Sequence, residues 1–163
     1  MNRRTAFSFA ALSGLSLVAL GAARRTSRAE EGSFEVTKTP EEWKKILSPA
    51  AFAVMREEDT ERPWTSALLD EHRKGTFNCA GCALPLYASE TKFDSGTGWP
   101  SFFDVLPNAV GKKEDNTLFT TRTEVHCRRC GGHLGHVFDD GPQPTGLRYC
   151  MNGVALAFAP AAA

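Results

Sequence analysis

Two different periods of apolar residues run along this chain, and one gives way to the other near residue 75. From residue 39 the period is helical. Trp43, Ile46 and Leu47 stand at i, i+3 and i+4, which puts one apolar stripe on a helix. Thr39 is a capping residue before Pro40, and Glu41 and Glu42 follow where the helix dipole favours acids. Pro49 is expected to end this helix, and a second short helix is expected over residues 50–57. Residues 61–75, ERPWTSALLDEHRKG, hold neither period and read as a loop with a helical turn. Beyond them lie short segments bounded by Gly, Pro, Asn or Asp: GTFNC, TLFTTRTEVHC, GHVFD, GLRYCM and VALAF. These predict β-strands and turns, hence a mainly β, antiparallel protein. Asn152-Gly153 separates the last two segments and predicts a hairpin pairing residues 147–151 with 154–158.

The N-terminus stands apart from both periods. Arg3 and Arg4 precede a mostly apolar run from Ala6 to Ala23, and no acidic residue occurs before Glu30. A basic head, an apolar middle and small residues at the end make an export signal, and the paired arginines resemble a twin-arginine leader. The expected organisation is an export signal or anchor over residues 1–23, a linker over 24–37 and one domain over 38–160. The compartment expected is the bacterial periplasm, with a membrane-anchored or organellar protein as the alternative. The whole chain of 163 residues balances 19 basic against 19 acidic side chains. Residues 1–23 hold two of the arginines and no acid, so the rest carries two more acids than bases. Nothing in that balance suits the phosphate backbone of a nucleic acid, and the chain reads as a monomer.

Five cysteines change the picture further. Cys79 and Cys82 form one C-x-x-C pair, and Cys127 and Cys130 form another. Two such turns brought together give four thiolates around one tetrahedral ion, with no position left for water. The reading is a structural zinc, one per chain, joining two distant parts of a β domain. Two disulfides, a redox dithiol, or iron in place of zinc are the competing readings.

Cys150 is then left without a partner. A buried apolar cysteine is the plain reading. Against it, Arg148 and Asn152 stand at i−2 and i+2, on the same face of a strand, and an arginine favours the thiolate. His133 and His136 lie three apart in GGHLGHVFDDGP, followed by Asp139 and Asp140, and can supply a proton or orient a water. Trp99, among glycines and before Pro100, can wall a small apolar pocket.

Taken together, CAGCALPLY, KFDSGTGWPSF, CRRCGGHLGHVFDDGP, PTGLRYCMN and ALAF resemble the methionine-R-sulfoxide reductases of the B type, in order and in spacing, over roughly residues 38–160. The resemblance implies antiparallel sheets in a β-sandwich or open barrel-like core, with short peripheral N-terminal helices and a zinc clamp. It implies that oxidised proteins containing methionine-R-sulfoxide are the substrate and that a thioredoxin-like or other thiol is the reductant. Carried over by position, Cys150 looks like the nucleophile, and His133 and His136 like the active-site histidines. Trp99 looks like the residue against the substrate methyl. Arg148 and Asn152 match the positions beside the nucleophile, Phe138 matches a place on the same pocket, and Asp140 matches an acidic position that orients the site. Many members have a resolving cysteine where this chain has Thr97, so this looks like a one-cysteine member. The alternative to the enzyme is a zinc-supported binding module with a structural Cys150, in which Trp99, His136 and Arg148 would scatter.

Overall fold

The computed structural model describes residues 34–117 and 120–162; the export signal expected over residues 1–23 lies outside them. Helix α1, Pro40–Ile46, begins as its sequence dictates. Thr39 Oγ1 accepts the Glu42 N–H while the Glu42 carboxylate accepts the Thr39 N–H, closing a capping box. Trp43 and Leu47 are buried, but Ile46 is 52% exposed. Successive residues turn about 100° on a helix, so the face centred between Trp43 and Leu47 leaves Ile46 at its edge. α1 stops ahead of Pro49, with Leu47 and Ser48 extended, and Pro49 itself opens α2, Pro49–Glu57, with Ser48 as the cap. At a first helical position its missing N–H has no partner to lose.

Nine strands follow among the described residues: β1 Gly75–Cys79, β2 Pro85–Ala88, β3 Lys92–Phe93, β4 Ser101–Phe102, β5 Val110–Asp115, β6 Arg122–Cys127, β7 His133–Phe138, β8 Arg148–Met151 and β9 Leu156–Pro160. They form two sheets, ordered β2-β1-β9 and β3-β4-β8-β7-β6-β5, and every pairing is antiparallel. Aromatic side chains join the two sheets. Tyr87 of β2 stacks on Phe102 of β4 with centroids 4.3 Å apart, and Phe77 of β1 meets Phe102 edge-on at 4.9 Å. All three are fully buried. Removing one such ring costs about 3–5 kcal/mol, so this trio is a main anchor between the sheets.

The hairpin expected at Asn152-Gly153 does not form. β9 pairs with β1 in the other sheet, while β8 lies between β4 and β7. A two-residue hairpin of the Asn-Gly kind needs positive φ at both central residues, whereas Asn152 has φ −66° and ψ 120°. Its side chain is committed elsewhere. Asn152 Nδ2 donates to the Leu134 carbonyl at 3.1 Å, and Oδ1 accepts the Glu61 N–H at 2.8 Å. Residues Gly153–Ala155 make a single 3₁₀ turn instead, and the chain crosses between sheets. Residues 34–37, within the stretch read as linker, lie against the second cysteine turn: the Val36 N–H donates to the Arg129 carbonyl at 3.0 Å.

Candidate active site and metal centre

The ends of β1 and β6 bring the two cysteine turns together. The sulfurs of Cys79, Cys82, Cys127 and Cys130 all lie within 4.8 Å of one another. Their nearest contacts run between the turns, Cys79 to Cys130 at 3.6 Å and Cys82 to Cys127 at 3.5 Å. A tetrahedral ion with metal–sulfur bonds of about 2.3 Å has sulfurs about 3.8 Å apart, so the four thiols fit one ion. Four thiolates this close, three of them buried, need a cation. Helix α2 backs the centre, where Arg56 Nη2 donates to the Cys130 carbonyl at 3.1 Å and its guanidinium lies 4.4 Å from the Trp43 ring centre.

The fifth cysteine lies in the other part of the large sheet. Cys150 is half-buried on β8, directly across from His136 on β7 and Ser101 on β4. Cross-strand partners share a face, so register alone sets the imidazole beside the thiol. β7 runs close because residue 135 is glycine: with φ +153°, a Cβ there would stand 2.1 Å from the Cys150 carbonyl oxygen. Trp99, Phe138, Asn152, Thr60 and Arg122 complete a pocket of about 110 Å³ with Cys150 and His136. The Trp99 indole is fixed by its N–H donating to the Glu61 carbonyl at 2.9 Å. Thr97 Oγ1 lies 3.8 Å from Cys150 Sγ and continues through Ser95, at 2.8 Å, to Ser101, at a further 2.7 Å. A hydroxyl at that place can donate to a thiolate.

His136, Thr60 and Arg122 also face a polar cavity of about 440 Å³, together with His133, Asp115 and Glu124. On a regular strand residues three apart point to opposite faces. The register shift between Val125 and His126, opposite His133–Gly135, breaks that rule and leaves the two imidazole centres 5.4 Å apart. Each ring is held by a carboxylate: His136 Nε2 at 2.7 Å from Asp115 Oδ2, and His133 Nδ1 at 2.8 Å from Glu124 Oε1. Hydrogen bonds from Thr117 first, then from His136 and Arg122, hold Asp115 well below the usual carboxylate range. A carboxylate only accepts, so His136 carries its proton on Nε2 and leaves Nδ1 as an acceptor. Burial lowers the basicity of both histidines, which favours the neutral rings.

Of the residues singled out in the sequence, Trp99, His136, Phe138, Cys150 and Asn152 meet at one pocket, and His133 lies on the cavity next to it. Arg148 and Asp140 are outside that lining. Arg148 gives a two-pronged ion pair to Asp140, with both bonds at 2.8 Å, and lies over the Phe138 ring at 4.3 Å. The hydrogen bonds that Arg148 donates to Asp140 raise its pKa, with a smaller contribution from Cys150. The arginine therefore meets a carboxylate first and the thiol second. Asp139 has no role in these contacts. Thr60, Glu61, Asp115, Arg122 and Glu124 were not marked by the sequence. Only the strand register and the path of the 58–66 loop bring them here.

The SelR domain model matches residues 47–160 of the chain. Similar curated proteins include the "Peptide methionine sulfoxide reductase MsrB" of Leifsonia xyli, 53% identical over 134 residues that cover 81% of this chain and 96% of that protein. The protein of the same name from Methanosarcina barkeri is 54% identical over 76% of this chain and 87% of its own length. That of Agrobacterium fabrum is 50% identical over 77% and 94%.

Proposed function

The chain belongs to the SelR-domain family and is a peptide-methionine (R)-S-oxide reductase; from that premise we propose that Cys150 is its nucleophile and the pocket around it takes the sulfoxide side chain. The observation that carries the assignment is the register that places His136 directly across from Cys150, in a pocket walled by Trp99 and Phe138.

The mechanism follows from what each group can give. The substrate methyl packs on the Trp99 indole, and the sulfoxide sulfur faces Cys150 Sγ. His136, neutral and with Nδ1 as acceptor, orients a water toward the sulfoxide oxygen. Protonation there makes the substrate sulfur electrophilic. The Cys150 thiolate, steadied by the Thr97 hydroxyl and by Arg148, attacks. The sulfur–oxygen bond of the substrate breaks, methionine leaves, and the oxygen ends on Cys150 as a sulfenic acid. The substrate sulfur is reduced by two electrons and the Cys150 sulfur is oxidised by two. A reductant thiol then attacks the sulfenic acid, releasing water and leaving a mixed disulfide. A second thiol displaces Cys150. Methyl on one wall and oxygen toward the other fix one epimer.

The test is turnover of chirally resolved N-acetylmethionine sulfoxides with dithiothreitol as donor. The R epimer is expected to turn over at least about 100-fold faster than the S epimer, the scale of a misplaced reacting group. Comparable rates would overturn the assignment of the pocket.

Thr97 sets the second half of the cycle. Among the described residues, the other four cysteines are committed to one cluster, so the donor must come from outside the chain. A thioredoxin-like or other thiol reductant supplies it. Thr97→Cys would place a second thiol near Cys150, where Oγ1 now lies 3.8 Å from Sγ. A disulfide needs about 2.05 Å, a gap that a side-chain rotation and a small loop shift can close. One turnover of that variant without added thiol is expected to leave a disulfide between the introduced thiol and Cys150, read by mass spectrometry. A lasting sulfenic acid would count against this geometry.

We assign zinc to the four-cysteine centre on the strength of its all-sulfur, closed, tetrahedral-sized donor set. With every position protein-filled, its contribution is to folding and not to the sulfoxide chemistry. The basic, then apolar, leader over residues 1–23 supports export to the periplasm.

A further inference from the structure

The loop between α2 and β1 is fastened to the site at several points that the reduction itself does not use. Glu61 is the centre of the fastening. Its carbonyl accepts the Trp99 indole N–H, its own N–H meets Asn152, and its carboxylate accepts the Gly153 N–H at 2.6 Å. Three residues on, Trp64 has φ +65°, a conformation that is costly for a bulky side chain. The Trp64 N–H donates to the Gly98 carbonyl at 2.8 Å. Gly98 is required here, because a Cβ would stand 2.8 Å from Pro63 Cβ and 3.0 Å from the Trp64 nitrogen. All this holds an indole that is 64% exposed. Packing does not explain a strained backbone that presents a large apolar ring to solvent.

Trp64 does, however, line a third cavity, of about 280 Å³, and Trp99 lines it too. Trp99 is therefore common to the thiol pocket and to this neighbour. Adjacent residues of a polypeptide have Cα atoms about 3.8 Å apart, so a side chain next to the oxidised methionine is within reach of the cavity that shares Trp99 with the thiol pocket. Phe93, Leu69 and Pro100 add apolar surface. Asp70, His72, Lys92 and Asp94 line it as well, and two of these are engaged within the fold: Lys92 Nζ donates to the Leu69 carbonyl at 2.8 Å, and Asp94 Oδ1 accepts the Gly96 N–H at 2.9 Å.

We propose that the cavity between Trp64 and Trp99 is a subsite for the residue flanking the oxidised methionine in a protein substrate, and that it takes an apolar or aromatic side chain. The inference rests on the reading of the Cys150 pocket as the sulfoxide site. A rim held by Glu61 and Gly98 is already in place before substrate arrives, which keeps the ordering cost of binding low.

The test is kcat/KM on blocked tripeptides that carry methionine-R-sulfoxide with phenylalanine or glycine on either side. For the native chain a phenylalanine at one flank is expected to raise kcat/KM about tenfold over glycine, through KM. Trp64→Ala is expected to bring that ratio within about twofold of unity, and Trp64→Phe to keep most of it. A native ratio below about twofold at both flanks would overturn the subsite, without need of any variant. So would a ratio that Trp64→Ala leaves unaltered. Failure of every sulfoxide to turn over would instead overturn the reading on which the subsite rests.

Discussion

Cys150→Ser leaves a folded, metal-loaded chain whose turnover on methionine-R-sulfoxide falls at least about 10⁴-fold, the scale on which losing a covalent nucleophile acts. The substitution removes no buried apolar mass. Cys150 is half-buried, and its sulfur lies 3.8 Å from the Thr97 hydroxyl, a partner that a serine can keep. A serine there also keeps β8 between β4 and β7, because those pairings use backbone groups. Stability is therefore expected to change by less than about 1 kcal/mol. The loss of activity is larger than a poorer nucleophile would give. The substrate must receive two electrons, and in the mechanism proposed they come from the Cys150 sulfur. A serine oxygen cannot be oxidised in that role, so the variant lacks the reductant of the first step. Two measurements check this together. Steady-state turnover with dithiothreitol reads the loss, and dimedone labelling after one turnover reads the sulfenic acid, present in the native chain and absent from the variant. Turnover surviving in Cys150→Ser would remove Cys150 from the chemistry.

The same site shows where a sequence stops being readable. The helix starts were legible because capping is local: Thr39, Pro40 and Glu42 lie within four positions of one another. The metal cluster was legible because each C-x-x-C turn already points two sulfurs one way. Trp99, His136 and Cys150 were legible as candidates from their neighbours and from a family resemblance. The carboxylates that hold the histidines were not. Asp115 reaches His136 from across the sheet, 21 residues away, and Glu124 meets His133 only because the register shifts between Val125 and His126. A single sequence carries no register. The Asn152-Gly153 pair failed for a related reason. Its turn propensity is real, but Glu61 and Leu134 engage the Asn152 side chain and Glu61 also takes the Gly153 N–H, so tertiary contacts decide the backbone. Arg148 was read as a cation beside a thiol; Asp140, eight residues away, claims both prongs of its guanidinium. Its effect on Cys150 is that of an ion pair, weaker than that of a free charge.

Cys127→Ser has the opposite character to Cys150→Ser: it acts on the fold, and on activity only through the fold. Cys127 is fully buried at the end of β6, and Cys79, which shares its cluster, ends β1 in the other sheet. One ion held there would fasten the small sheet to the large one. Helix α2 leans on the same point, with Arg56 donating to Cys130. A structural zinc bound by four thiolates contributes about 10–16 kcal/mol, whereas a whole domain is stable by only about 5–15 kcal/mol. Loss of one ligand also strands three thiols in a site whose burial resists their ionisation. The variant is therefore expected to hold less than about a tenth of the metal of the native chain. It is also expected to unfold at least about 15 °C lower or to accumulate insoluble, since each kcal/mol lost lowers the midpoint of a domain this size by roughly 4 °C. Metal content by inductively coupled plasma mass spectrometry and thermal unfolding with and without a chelator read the two effects. Full stability in a metal-free Cys127→Ser chain would mean that the aromatic contacts of Phe77, Tyr87 and Phe102 suffice to join the sheets, and that the four cysteines serve something other than the fold. Cys150→Ser supplies the contrast within one chain, because it should keep its metal and its midpoint while losing the reaction.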